Sequence, residues 1–359
     1  SIFGDLTARQ IGPALMSGRV NDLEIHPTNN KIIYLGAGGG GVWKSNDGGA
    51  TFIPIFDDYI QSIGTVTLDP NDPDKTIYVG TGETWTRNSV SYGNGLYKST
   101  DGGSNWKNIG LKDSERIASI IVNPQNSDEI YVAAMGALWG DNEERGVFKS
   151  IDGGVTWEKV LYVNPRTGCA DLLMDPRNPS ILYASMWEFR RTAWSFDSGG
   201  ENSALYKSID GGKTWDKIHN GFPEGKLGRM GIAIAKSNPD VLYTVIEAEQ
   251  KKDKGLYRSK DLGASWEQMN NDFEITVRPF YFSRLVVDPR NENVIYKGGL
   301  RGSVSKDGGK TFKGLGNMHS DVHDMVFSNM HSDIMFFATD GGVYRSWNGG
   351  TTCEIVENL

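Results

Sequence analysis

Two acids are placed where they could do chemistry. Glu83 lies in "GTGETWTRNSVSYGNG" and Asp340 in "FATDGGVYRS", each just after a short apolar run. Two carboxyls roughly 5–10 Å apart are what glycoside hydrolysis requires, one as acid and the other as base or nucleophile. Glu188 and Glu247 follow similar runs and are secondary candidates. Arg19 and Arg116 each sit eight residues before a turn proline, and Arg229 sits ten before Pro239. Three converging guanidiniums would bind a carboxylate bidentately; the competing expectation is local pairing with Asp22, Glu24, Glu115 or Asp171. Trp85, Trp139, Trp187 and Trp194 lie among Glu, Asp and Arg in glycine-rich segments. That mixture suits a sugar, which offers a C–H face to stack on and hydroxyls to hydrogen-bond, although the same rings would also pack loops together. The five histidines, His26, His219, His319, His323 and His331, follow no metal-ligand spacing, and there is no phosphate loop or cysteine cluster. No metal and no cofactor are expected.

What would position these groups is a repeat. "GVWKSNDGGATF", "GLYKSTDGGSNW", "GVFKSIDGGVTW", "ALYKSIDGGKTW", "GLYRSKDLGASW" and "GSVSKDGGKTF" place Asp47, Asp101, Asp152, Asp210, Asp261 and Asp307, and "GVYRSWNGGTTC" puts Asn348 at the seventh position. Successive copies are 54, 51, 58, 51, 46 and 41 residues apart. A second motif alternates with the first: an apolar strand, a Pro/Asn/Asp turn and a strand carrying an aromatic, as in "TLDPNDPDKTIYVGTG". Each repeat therefore predicts four strands, A to D, and seven repeats predict an all-β, seven-bladed β-propeller. The aspartates are then structural, each taking up backbone N–H groups in the C-to-D hairpin. The B-to-C loops lie on the opposite rim, where variable loops on a rigid frame carry function.

The S/T-x-D-G-G-x-T-W copies resemble Asp-box, or BNR, repeats. With "RQIGPALMSGRVNDLEIHP" and "YVGTGETWTRNSVSYGNGLYKSTDGG", the chain resembles the Asp-box propellers of sialidases, xyloglucan hydrolases and the sortilin (Vps10) domain, closest to secreted bacterial sortilin-like and glycosyl-hydrolase-like proteins. The resemblance covers nearly all 359 residues and implies the fold more firmly than an activity. It also implies that residues 1–359 form one propeller of a longer, multidomain protein. Xyloglucan hydrolases carry an acid where this chain has Gly38 in "GAGGGG", which argues against straightforward hydrolysis. The N-terminal "DLTARQIGP" reads as a spare strand D.

A net charge of −8, without a Lys/Arg run, disfavours nucleic acid as a partner. No apolar stretch approaches the roughly 20 residues that span a bilayer. Cys169 and Cys353 do not fix a redox compartment. The expectation is a secreted, cell-surface or periplasmic propeller that holds a glycan or protein ligand on its loop-rich face. The alternatives are a glycoside hydrolase or polysaccharide lyase, and a non-catalytic component of a surface assembly.

Overall fold

The computed structural model describes residues 18–88 and 90–357; the spare N-terminal strand expected near residues 5–13 lies outside them. Seven antiparallel sheets follow one another along the chain, each with strands in the order A-B-C-D. The A strands are Val20–Ile25, Ile63–Leu68, Ile117–Asn123, Thr167–Met174, Leu227–Ile234, Leu285–Val287 and Val322–Phe327. They are the innermost strands, and those of blades 1 to 6 run side by side in order, with blade 7 against blade 1. The molecule is thus a seven-bladed β-propeller. Blade 4 adds a strand, Phe196–Ser198, that pairs with the far end of its long strand B, Leu182–Arg191.

Each seam between blades is an apolar cluster. Tyr34 and Val42 of blade 1 pack with Ile63, Val66 and Ile77 of blade 2, and the same pattern recurs around the ring. Blade 7 closes on blade 1 through Phe336, Ala338 and Val343 against Leu23, Ile33 and Leu35.

The recurrent turn is built alike in every blade. In blade 3, Asp152 accepts from the Val155 and Thr156 amides at 3.0 and 2.9 Å and from the Thr156 hydroxyl at 2.6 Å. The Ser150 hydroxyl bonds Asp152 at 2.8 Å and accepts from Gly154 N at 2.9 Å. Gly153 and Gly154 have φ of 71° and 94°, a region that penalises side chains.

The turn is also held by its neighbour. Lys44, Lys98, Lys149 and Lys207 of strand C donate to the carbonyls of Gly102, Gly153, Gly211 and Leu262 in the following blade, at 2.7–3.2 Å. Each ammonium lies 5.0–5.7 Å from the ring of a strand-B tyrosine. Arg345 makes the equivalent bond from blade 7 to Gly48 of blade 1 at 3.2 Å.

A bulge early in strand A sets up the channel. In blades 1, 4 and 7 it turns Asp22, Asp171 and Asp324 toward the following blade. These carboxylates accept from Val66 N at 2.7 Å, Ile232 N at 3.1 Å and Leu23 N at 3.0 Å respectively.

Candidate functional site

Antiparallel order puts the B-to-C and D-to-A connections on the rim opposite the recurrent turns. That rim is uneven. Strands B and C are joined by only Gly38–Gly41 in blade 1 and by Asp340–Gly341 in blade 7. In blade 4 the B strand runs ten residues and forms an arm whose tip is Thr192–Ser195. Blades 2 to 4, with the longest B-to-C segments, form a wall beside the short B-to-C segments of blades 6, 7 and 1.

Glu83 and Asp340 meet at the foot of this wall, across the guanidinium of Arg19. Arg19 Nε lies 2.8 Å from Asp340 and its Nη1 bonds Glu83. Asp340 also takes the Tyr281 hydroxyl at 3.2 Å and His323 Nε2 at 2.8 Å. His323 is fully buried, with ring centroids of Tyr281 and Trp85 at 4.8 and 5.7 Å. Burial raises the pKa of Glu83 against the pull of Arg19. Burial also works against ionising Asp340, but the His323 bond and Arg19 prevail and hold it well below the carboxylate range. Burial lowers His323. One carboxyl is pushed up and its neighbour down, which is the division a general acid and a general base need. Yet the Glu83 side chain is only 4% exposed, and a guanidinium fills the space between the two acids.

The three arginines do not share one open site. Arg19 and Arg116 occupy equivalent strand-A positions, while the bulge of blade 5 falls earlier in the strand and moves Arg229 by one residue. Arg116 is buried against Glu115 at 2.7 Å and the carbonyls of Gly136 and Val90. Arg229 lies between Trp85 and Trp187, 4.3 and 5.3 Å from the ring centroids, and donates to the carbonyls of Thr84 and Phe280. Burial brings its pKa down to about 9. Each guanidinium thus has internal partners rather than an open carboxylate site. Trp85 and Trp187 are buried as part of this plug, which leaves a void of about 10 Å³ in the channel, lined by Asn21, Trp85, Asp171, Arg229 and Arg284. That is room for about one water.

Trp139 and Trp194 are different: they are 50% and 87% exposed, and Tyr92 is 66% exposed. The arm carrying Trp194 is braced by an ion pair from Arg190 to Asp141, a hydrogen bond from Arg191 to Asn88, and the Arg191 N–H to the Leu138 carbonyl at 3.1 Å. Glu188 accepts from Asn202 at 2.9 Å and Glu247 from Ser198 at 2.7 Å, so both tie loops together. A Cβ at Gly38 would meet Asn21 at 3.4 Å and Arg19 at 3.5 Å, ordinary contacts, so space does not forbid an acid there. Among the described residues no group of three or more His, Cys, Asp or Glu could hold a metal ion, and no helix is long and apolar enough to cross a membrane.

Sequence reasoning did not single out Tyr281, Arg284 or Asp324, and it weighed His323 only for metal. The signal for His323 and Asp324 was their alignment with Asn21 and Asp22 in strand A.

Residues 94–254 match the model of the family described as Sortilin, neurotensin receptor 3 (Sortilin-Vps10). The chain is 24% identical over 353 residues to the xyloglucanase Xgh74A of Acetivibrio thermocellus, an alignment covering 83% of this chain and 38% of that protein. It thus spans well under half the length of that relative. Among solved structures, the GH74 xyloglucanase of Xanthomonas campestris superposes with a TM-score of 0.68 at 16% identity, covering 94% of this chain and 53% of that one. YCF48 from Cyanidioschyzon merolae superposes with a TM-score of 0.59 at 15% identity, over 93% of this chain and 97% of that one. The chain is a seven-bladed β-propeller that matches Sortilin-Vps10 over residues 94–254 and has xyloglucanases among its homologues.

Proposed function

We propose that this propeller binds a neutral polysaccharide on its loop-rich rim, as part of a longer protein that works outside the cytoplasm. The observation that carries the reading is the rim itself: Tyr92, Trp139 and Trp194 stand exposed on loops of three successive blades. Exposed rings cost solubility, and clustered on one face they suit stacking against sugars. The ligand is neutral because Arg19, Arg116 and Arg229 are occupied by internal acids, carbonyls and rings. The braced arm keeps Trp194 in place before binding, which lowers the entropy of ordering. The kinship to xyloglucanases makes a plant-type β-glucan the first polymer to test.

Affinity electrophoresis in gels containing xyloglucan provides the test. The wild-type chain should be retarded, and Trp194→Ala should weaken retention about tenfold, the scale of one lost aromatic contact. Free migration of the wild type in xyloglucan, or retention by acidic pectin in preference to it, would overturn the reading. A hydrolytic reading is favoured by the divided Glu83–Asp340 pair. Reducing sugar released from xyloglucan by the wild type and not by Glu83→Gln would establish it.

A further inference from the structure

The far end of the channel, away from the glycan rim, holds a separate cavity of about 180 Å³. Val286, Met325, Val326 and Phe327 supply its apolar lining, and Glu24, Lys236 and Asn329 supply its polar groups. Lys236 itself is exposed. Glu24 stands two residues beyond Asp22 in strand A of blade 1, so both side chains leave the same face of the strand.

The deeper acids have close partners, yet burial still raises Asp22 to about 7 and Asp171 above its ordinary value. Arg284 reaches Asp22 at 3.2 Å and Asp324 at 2.8 Å, and both acids also accept backbone N–H groups. Glu24 accepts from the Leu68 backbone and, among the described residues, has no ion pair within 4 Å. Asp22, Glu24, Asp171 and Asp324 are faced by Arg229, Arg284 and Lys236, four carboxyls against three cations. Without a fourth cation, burial and the neighbouring Asp22 push Glu24 up to about 8.

We propose that this cavity binds an aliphatic primary ammonium, its chain against the Val286–Met325–Phe327 wall and its charge on Glu24. The volume leaves room for a chain of about five carbons and a nitrogen. The ammonium supplies the cation that the acid column lacks. A neutral chain of equal length would gain the apolar contact and leave the charge imbalance.

Calorimetric titration of the chain with n-pentylammonium chloride at pH 8.5 tests this. One saturable site is expected, with 1-pentanol at least tenfold weaker and Glu24→Gln at least tenfold weaker toward the amine. Lys236→Ala removes the competing rim cation and should tighten binding severalfold; this exposed position also keeps the test open if Glu24→Gln folds poorly, which thermal melts would reveal. The proposal is overturned by the absence of saturable heat, by equal binding of pentanol, or by a Lys236→Ala variant that binds no more tightly. N-acetyl-lysine methylamide distinguishes the sources: binding comparable to pentylammonium assigns the site to a lysine side chain of a partner, and much weaker binding assigns it to a free amine.

Discussion

Asp152 sits in solvent, yet its carboxylate is held down to about 2 by the Thr156 hydroxyl and amide. Its ordinary value is 3.8, so the turn is stabilised fully above about pH 4 and loses that contribution as the pH falls through 2. Asp47, Asp101, Asp210 and Asp307 are lowered in the same way. Blade 7 shows the uncharged version: Asn348 accepts from Thr352 N and donates to its hydroxyl, both at 2.9 Å. Asp152→Asn should therefore fold, melt close to the wild type at pH 7, and lose less stability between pH 4 and 2. Melting temperature against pH checks this; a steeper acid loss in the variant would contradict it. These turns were readable from sequence because the partners of each aspartate lie within four residues and the pattern recurs seven times. Arg116 meets its neighbour Glu115, but Arg19 and Arg229 were not readable: their partners lie elsewhere on the ring, and a bulge in the blade 5 strand moved Arg229 out of the expected register.

Strand B of blade 6, Ile295–Lys297, carries a lysine where the equivalent strands place Leu35 and Val79. Lys297 is buried, donates to the Gly298 carbonyl at 2.8 Å, and is brought down to about 8 by burial. From an ordinary 10.5, that displacement costs about 3 kcal/mol while the ammonium is charged. The cost is full below pH 8 and vanishes above about 10.5, so wild-type stability should gain over that interval relative to Lys297→Met. The variant should be the more stable protein at pH 7, by up to about 3 kcal/mol, as measured by urea unfolding. A less stable variant would mean that the lysine has a partner worth more than its desolvation. Blade 4 shows what strand-level reading can miss. In "WEFRR", Trp187 and Phe189 alternate with Glu188 and Arg190 in the period-two pattern that continues strand B. The intervening Thr192–Ser195 turn concealed the pairing of Arg191 with Phe196.

At the scale of the whole ring, the seam between blades 7 and 1 differs in kind from the other six. Elsewhere a connecting segment keeps neighbouring blades together when their contacts break. Among the described residues, blades 7 and 1 are joined only by non-covalent contacts: the Phe336–Leu23 cluster, Arg345 to Gly48, Arg19 to Asp340, and Asp324 to Leu23 N. Asp171 makes the same carboxylate-to-amide bond between blades 4 and 5 without the ion pair that joins Asp324 to Arg284, so it is the comparison for the amide bond alone. Removing either carboxylate leaves a buried N–H unpaired, at a cost of about 2–3 kcal/mol. Asp171→Ala should lower the urea midpoint and keep one cooperative transition. Asp324→Ala should also release the seam, so amide exchange in Val20–Ile25 and Val322–Phe327 should accelerate before global unfolding. Equal acceleration at the two seams in their respective variants would mean that chain connectivity contributes nothing to closure. The seven-fold wheel was legible because identical blades repeat identical local patterns. How it closes was not, because the residues that close it are more than 290 positions apart and follow no local rule.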